Sequence, residues 1–214
     1  MEFDPNDPSV MYYAGNILNR STDRGQTWSA ISPDLTGGPG NDPQYPYGTI
    51  TTVAAATTDP ERLYVGTDDS RVWTSPDGGE SWERIDAELP ERWVTRVRVD
   101  PTDEDVVFAT FSGFRRGESA AHVFRSENAG QTWDDISANL PNAPVNDLVI
   151  SGDQLYVAND IGVYTSPSNG HSWRAFNDNL PRTPIMELRV HEPTGTLTAG
   201  TFGRGMYRVQ IPPH

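Results

Sequence analysis

The sequence of 214 residues contains no cysteine and no lysine. Without cysteine, the fold cannot depend on disulfide bonds or on a thiolate metal site. Without lysine, all 16 basic residues are arginines, and the 30 acidic residues bring the net charge to −14. A chain this acidic repels nucleic acid phosphates and anionic membrane surfaces, so neither is an expected partner.

Long apolar segments are missing as well. No run of apolar residues approaches the length that spans a membrane, so no membrane insertion is predicted. The N-terminus also lacks the basic and then apolar pattern of a signal peptide. We therefore expect either a cytoplasmic protein or a chain whose targeting segment lies elsewhere in a parent protein.

An eight-residue pattern, here called the box, occurs four times in the sequence. The copies read STDRGQTW, SPDGGESW, SENAGQTW and SPSNGHSW, and they begin at residues 21, 75, 126 and 166. Successive box tryptophans lie 54, 51 and 40 residues apart. An isoleucine or phenylalanine follows each tryptophan by three positions, and a leucine follows it by seven. This constant register indicates a repeated structural unit.

The third position of the box changes along the chain, while the glycine and the tryptophan do not. In the four copies it is Asp23, Asp77, Asn128 and then Ser168. Asparagine and serine can still accept hydrogen bonds in a turn, but they cannot perform carboxylate chemistry. The glycines can supply the positive φ of a turn, and the tryptophans can pack on a sheet. We therefore interpret the box as structural. Its structural positions are Asp23, Gly25, Trp28, Asp77, Gly79, Trp82, Asn128, Gly130, Trp133, Gly170 and Trp173.

Short β-rich runs accompany each box. Runs of four to eight residues, bounded by Gly, Pro, Asp and Asn, precede the boxes, and a further strand is predicted to start near each tryptophan. Repeats of about 40–50 residues with four strands are typical of β-propeller blades, with a solenoid of stacked hairpins as the alternative. The sequence thus predicts an all-β fold, a single β-propeller domain over residues 1–214. Its five units are approximately 1–46, 47–91, 92–142, 143–181 and 182–214.

The first and last of these units are incomplete. The first enters at the tail of its inner strand, and the last has neither a box nor a fourth strand. The prediction is therefore either an atypical five-bladed ring or a C-terminal fragment of a larger propeller. In a fragment, open sheet edges would favour pairing between chains and hence a homo-oligomer.

The box resembles the Asp-box, or bacterial neuraminidase repeat (BNR), of sialidase-like propellers, which reads Ser-x-Asp-x-Gly-x-Thr/Ser-Trp. The segment AGTFGRGMYRV at 199–209 resembles the closing blades of xyloglucanase-like propellers, and sortilin-like receptors share the architecture. The resemblance implies a secreted or periplasmic parent protein. It also implies either carbohydrate recognition or processing, as in a glycoside hydrolase, or a non-catalytic scaffold for a protein partner.

Candidate site residues lie in the loops that a propeller gathers on one face, between the second and third strands and before each inner strand. There, aromatic rings could stack on sugars while charged groups bind hydroxyls, and hydrolysis of a glycoside needs two flanking carboxylates. The catalytic candidates are Asp68, Asp69, Asp160 and Glu187. The ligand-binding candidates are Tyr47, Arg92, Trp93, Arg115, Asn146 and Arg204.

Structural roles compete with catalysis for these carboxylates. The candidates for turn capping are Asp68 and Asp160, and those for ion pairs are Asp147 with Arg96 and Glu187 with Arg189. A third and more distant function is a metal-dependent hydrolase of lactones or phosphotriesters. Its oxygen ligands would be drawn from Asn146, Asp147, Asn159, Asp160 and Glu187. No spacing motif supports a metal site, so neither a metal nor a cofactor is predicted.

Overall fold

The structure, a computed structural model, describes residues 1–38, 47–167 and 169–212. Ser168, the third residue of the last box, lies outside these ranges. Regular structure within them consists of β-strands and two single-turn 3-10 helices, Phe114–Arg116 and Glu192–Thr194. Neither of these described helices is long and apolar enough to cross a membrane.

The strands form five sheets, each from consecutive segments of the chain. The first sheet has β1 (Glu2–Phe3), β2 (Met11–Ala14), β3 (Leu18–Ser21) and β4 (Ser29–Ala30). The second has β5 (Ile50–Ala55), β6 (Leu63–Thr67), β7 (Val72–Ser75) and β8 (Glu83–Arg84). The third has β9 (Trp93–Asp100), β10 (Asp103–Ser112), β11 (His122–Ser126) and β12 (Asp134–Asp135). The fourth has β13 (Val145–Ser151), β14 (Gln154–Asn159), β15 (Gly162–Pro167) and β16 (Arg174–Ala175), and the fifth has β17 (Ile185–His191), β18 (Thr196–Thr201) and β19 (Met206–Gln210).

Within every sheet the spatial order of the strands follows their order in the chain. The sheets are therefore antiparallel meanders, as in β5 paired with β6 and β6 paired with β7. This arrangement confirms the predicted all-β propeller fold of four-stranded blades, with a fifth sheet of three described strands. Contacts divide the chain into two compact units, and the boundary passes through the third sheet.

Unit 1 consists of Met1–Ala109 and Arg125–Asp134. Its central strand β6 is buried at all five positions, whereas the outer strands β4 and β8 are exposed. Burial on both faces explains why β6 reads as a short run without polar alternation. A cluster of buried side chains holds the first two sheets together; its members are Tyr12, Leu18, Leu35, Ile50, Val53, Leu63 and Val65.

Unit 2 consists of Thr110–Phe124 and Asp135–His214. Its core joins the fourth and fifth sheets, and the ring of Tyr156 meets that of Phe176 edge to face at 5.4 Å. Other members of this core are Val149, Ala158, Val163, Ile185, Leu188, Leu197, Ala199 and Ile211. The inner and second strands of each sheet therefore supply most of the buried surface in this unit too.

The third residue of a box closes the turn between the third and fourth strands. In the first box, Thr27 donates from its backbone N–H and its hydroxyl to the carboxylate of Asp23, at 2.8 and 2.7 Å. In the third box, Oδ1 of Asn128 accepts the backbone N–H of Thr132 at 2.9 Å, and its Nδ2 donates to the Thr132 hydroxyl. The amide thus reproduces the turn without a charge.

Box tryptophans connect neighbouring sheets. Nε1 of Trp82 donates to the backbone oxygen of Ile31 at 2.9 Å, and Nε1 of Trp133 donates to that of Ile85 at 2.7 Å; both pairs lie in unit 1. In unit 2, Nε1 of Trp173 donates to the backbone oxygen of residue 136 at 2.8 Å. Each acceptor is the isoleucine three positions after the preceding box tryptophan. The first tryptophan differs, because Trp28 donates to Gly25 within its own box.

Candidate functional site

Asp68 lies in the turn between β6 and β7 of unit 1. Its Oδ1 accepts the backbone N–H of Thr49 at 2.6 Å, and its own N–H donates to the backbone oxygen of Thr49 at 2.9 Å. These two bonds fasten the turn to the chain that enters β5. The expectation that Asp68 also caps its own turn before Ser70 stays a prediction.

Asp69 fills a pocket formed by two glycines. Its Oδ2 accepts the backbone N–H of Gly37 at 2.5 Å and lies 3.6 Å from Nε of Arg71. A Cβ atom on Gly37 or on Gly48 would lie 2.8 Å from an atom of this carboxyl group, so both chain segments pack directly against it. Asp69 therefore holds the segment after Leu35 against the second sheet.

The other unit 1 candidates are a mixture of exposed and half-buried side chains. Tyr47 is 57% exposed. Arg92 is half-buried, and its Nη1 donates to the backbone oxygen of Glu91 at 3.0 Å. Trp93 is half-buried at the first position of β9. Tyr45, two positions before Tyr47 in the sequence and a further candidate for the same face, lies outside the described residues.

Asn146 is the centre of the candidate site in unit 2. Its Nδ2 donates to Oδ1 of Asp160 at 2.9 Å and to the backbone oxygen of Ile185 at 3.0 Å. Asp160 was expected to cap the turn before Gly162, but that role belongs to Asn159, whose Oδ1 accepts the N–H of Ile161 at 3.0 Å. The Nδ2 of Asn159 is fully buried and has no hydrogen-bond partner among the described residues.

Glu187 and Asp147 have different environments in unit 2. Glu187 and Arg189 form an ion pair at 2.7 Å on the open face of β17, and about half of each side chain is exposed. Asp147 is fully buried. Its two carboxylate oxygens accept the backbone N–H groups of Leu148 and Leu188, both at 2.8 Å. Asp147 therefore joins β13 to β17. Of the two carboxylates, Glu187 is the one that is accessible to solvent.

Two exposed turns carry the remaining candidates, and both connect a second strand to a third strand in unit 2. Arg115 is exposed in the 3-10 helix after β10, beside Phe114, which is 71% exposed. Arg204 is exposed in the turn after β18, beside Phe202, also 71% exposed. The second turn is anchored, because the N–H of Phe202 donates to the backbone oxygen of Pro184 at 2.8 Å. Each turn thus presents a phenylalanine and an arginine together.

Electrostatics separate the box carboxylates from catalytic acids. Hydrogen bonds from Thr27 lower the pKa of Asp23 to about 2, and those from Ser81 lower the pKa of Asp77. A general acid in glycoside hydrolysis requires the opposite, a raised pKa. Among the described residues, no three or more His, Asp or Glu side chains are grouped so that they could hold a metal ion.

Sequence reasoning did not anticipate the glycines around Asp69 or the capping role of Asn159. Gly37 and Gly48 lie in a Gly- and Pro-rich stretch that reads as an ordinary loop. Their importance depends on a carboxylate more than 20 residues away, which no local pattern shows. Asn159 stands in the same Asn-Asp pair as Asp160, and only the structure distinguishes the two side chains.

Comparison with known proteins gives one family match. A sequence model of the Sortilin-Vps10 family, described as sortilin, neurotensin receptor 3, matches residues 16–140, which is more than half of the chain. No curated protein matches the chain.

Solved structures similar to this chain are propellers of low sequence identity. They include a GH74 xyloglucanase from Xanthomonas campestris, with 19% identity, a TM-score of 0.71, and coverage of 96% of this chain and 36% of that one. YCF48 bound to D1 peptide has 15% identity, a TM-score of 0.64, and coverage of 94% and 61%. A chain of a nidogen–laminin complex has 15% identity, a TM-score of 0.64, and coverage of 90% and 69%. At these identities the likeness shows the fold alone, and the chain spans less than two thirds of the first two structures.

Proposed function

Because the chain belongs to the Sortilin-Vps10 family, we propose that it is a non-catalytic propeller that binds a protein partner. The observation that carries this proposal is the pair of exposed turns in unit 2, each with a phenylalanine beside an arginine. The side chains of Phe114 and Phe202 are 71% exposed. Aromatic residues and arginine are enriched among the residues that dominate binding energy in protein interfaces.

The carboxylates support binding over catalysis. Asp68 and Asp69 hold backbone N–H groups within unit 1, and Asp160 holds Asn146 within unit 2. Removing any of these acids would disturb the loops themselves. Glu187 is about half exposed and pairs with Arg189, which is an ordinary surface ion pair. Asp68, Asp69 and Asp160 are half-buried in these contacts, which favours a structural role over a part in hydrolysis.

The proposal can be tested with a random peptide library displayed on phage. Selection against the immobilised wild-type chain should enrich a peptide family that binds saturably. Binding should fall at least tenfold on the variant Phe202→Ala/Arg204→Ala. Phe3→Ala is the matched control, because Phe3 is 58% exposed on β1, outside the two turns. Equal binding to the turn variant and to the control would refute the assignment of these turns.

Carbohydrate recognition is the second candidate function, favoured by the same exposed rings and by the exposed Tyr47. Exposed rings can stack on sugars while arginines bind hydroxyls. One structural neighbour is a GH74 xyloglucanase and another is a GH74 enzyme, and this chain shares their fold. A glycan array and a hydrolysis screen distinguish the two functions. Cleavage that is abolished by Asp160→Asn or Glu187→Gln, with an unchanged melting temperature, would establish the glycosidase alternative.

A further inference from the structure

The fourth box contains an asparagine followed by a glycine, Asn169 and Gly170, and we propose that this pair is a site of spontaneous covalent modification. The modification is deamidation of Asn169 through a cyclic imide, which yields aspartate and isoaspartate. Asn169 is the only asparagine of the sequence that precedes a glycine. It lies in the turn between β15 and β16 of unit 2, whereas the turns proposed for partner binding join second strands to third strands.

The side chain of Asn169 is exposed, and its carbonyl group is held close to the main chain. Its Oδ1 accepts the backbone N–H of His171 at 3.4 Å. A side chain in this position folds back along the peptide bond between Asn169 and Gly170, whose nitrogen is the atom that must attack it. The N–H of His171 also stabilises the negative charge that develops on Oδ1 during the attack. The contact therefore prepares the side chain for ring closure.

The attacking nitrogen is held less firmly in the fourth box than in the other three. In the first box the N–H of Gly25 donates to the buried hydroxyl oxygen of Ser21 at 2.8 Å, and the second and third boxes repeat this bond. In the fourth box the corresponding serine, Ser166, is buried, and its hydroxyl has no hydrogen-bond partner among the described residues. The N–H of Gly170 donates instead to the backbone oxygen of Pro167, an exposed residue. Water can replace an acceptor at such a position, which releases the nitrogen.

The reaction needs no partner other than water. The backbone nitrogen of Gly170, which no Cβ shields, attacks Cγ of Asn169 and forms a C–N bond, while the bond from Cγ to the side-chain nitrogen breaks. The proton of the attacking N–H leaves with the side-chain nitrogen as ammonia, and a five-membered imide remains. Water then adds to one of the two imide carbonyl groups. Hydrolysis at Cγ gives aspartate, and hydrolysis at the main-chain carbonyl gives isoaspartate, whose backbone is one methylene longer.

Two other asparagines of unit 2 are protected by hydrogen bonds and by the residue that follows them. Nδ2 of Asn146 donates to Oδ1 of Asp160 at 2.9 Å and to the backbone oxygen of Ile185 at 3.0 Å. Oδ1 of Asn177 accepts the N–H of Val163 at 2.6 Å. Both asparagines are half-buried, and an aspartate follows each, so a side chain hinders attack by the next nitrogen. The exposed pair in the fourth box should therefore react first.

Isoaspartate in the fourth box would disturb the contacts of the strand that follows it. Trp173 is 4% exposed, and its Nε1 donates to the backbone oxygen of Ile136 at 2.8 Å. The backbone N–H and C=O groups of Trp173 are both bonded to the side chain of Asn139. A main chain lengthened by one methylene changes the path into these contacts. Modified molecules should therefore melt at a lower temperature than unmodified ones.

The test is incubation of the purified complete chain at mildly alkaline pH and body temperature, followed by tryptic digestion and mass spectrometry. Trypsin should release residues 126–174 as one fragment, because Arg125 and Arg174 bound it and no arginine or lysine lies between them. The fragment contains both Asn146 and Asn169, so one spectrum compares them. Asn169 should be modified at least tenfold faster than Asn146, and a protein-isoaspartate methyltransferase should label the product. The rate should rise with pH, because the attacking nitrogen must lose its proton.

Two variants assign the signal to its residue. Asn169→Gln should remove the modification and the fall in melting temperature on incubation, because glutamine would have to close a six-membered ring. Asn142→Gln is the matched control, since Asn142 is an exposed asparagine of the same fragment that precedes an alanine. It should leave both the modification and the fall in melting temperature unchanged. Equal rates at Asn169 and Asn146 in the wild-type chain would overturn the proposal.

A third variant tests whether the structure of the fourth box sets the rate. Ala129→Gly places an Asn-Gly pair in the third box, at a position whose φ of +57° suits glycine. There the amide of Asn128 is bound to Thr132 through both Oδ1 and Nδ2, so Asn128 should react at least tenfold more slowly than Asn169. Equal rates at these two asparagines in the variant would show that the dipeptide alone sets the reaction and would refute the role given to the turn.

Discussion

Replacing Trp133 with phenylalanine should destabilise the protein more than the same change at Trp28. Trp133 is 9% exposed, and its Nε1 donates at 2.7 Å to the backbone oxygen of Ile85 on the neighbouring sheet. Phenylalanine leaves that oxygen buried without a donor, which costs about 1–3 kcal/mol, and the smaller ring leaves unfilled space. We expect a total loss of about 2–3 kcal/mol in the free energy of unfolding.

Trp28 is the matched control because its indole also donates a hydrogen bond to a backbone oxygen, but at a position that is more exposed to solvent. It is 37% exposed, and its Nε1 donates to Gly25 of its own box at 3.1 Å. Water can replace a donor at such an accessible carbonyl group, so Trp28→Phe should cost less than about 1 kcal/mol. The difference between the two variants isolates the bond between sheets from the general effect of losing an indole.

Urea titration followed by far-UV circular dichroism measures both variants. With a denaturant slope of about 2 kcal/mol/M, Trp133→Phe should lower the midpoint by about 1 M, and Trp28→Phe by less than half of that. Equal shifts for the two variants would refute the idea that box tryptophans hold one sheet to the next.

Three further predictions concern other contacts of the fold. Gly130→Ala should lower the free energy of unfolding by about 2–4 kcal/mol, and Gly15→Ala by less than about 1 kcal/mol. Gly130 has φ +88° and faces a neighbouring isoleucine, whereas nothing lies within 4 Å of a Cβ on Gly15. Thermal melts of both variants check this. Asp147→Ala should cost about 2–4 kcal/mol in urea titrations, because two buried N–H groups lose their acceptor, and Asp147→Asn should recover part of the loss. Hydrogen bonds from Thr27 lower the pKa of Asp23 from 3.8 to about 2. Because the folded pKa is lowered, the carboxylate stabilises the fold above about pH 4, and this contribution disappears as the pH falls toward 2; melting curves of Asp23→Asn should therefore differ from wild type at neutral pH and converge with it in acid.

The sequence predicted the strands well because strands and turns depend on local pattern. The runs LYVGTD and LYVAND became β6 and β14, and the box turns formed where Ser, Asp and Gly predicted them. The glycine at the fifth position of each box has positive φ, from 68° at Gly170 to 100° at Gly79. The constant spacing of the repeat thus predicted most of the strands and turns.

The partners of the site carboxylates could not be predicted in the same way. Asp147 binds the N–H of Leu188, 41 residues away, and Asp69 binds the N–H of Gly37, 32 residues away. Every residue except proline carries an N–H, so nothing in the side-chain sequence marks the one that a distant carboxylate will bind. The catalytic assignment of Asp68, Asp69, Asp160 and Glu187 stays a prediction, and the contacts of these residues favour a structural reading.

The most direct test of the proposed binding function is calorimetric titration of a display-selected peptide into wild-type protein and into Phe202→Ala/Arg204→Ala. We expect saturable binding to wild type, at least tenfold weaker binding to the turn variant, and no turnover of glycans by either protein. Undiminished affinity of the turn variant, or glycan cleavage by wild type that Asp160→Asn abolishes, would contradict a protein-binding role for these turns.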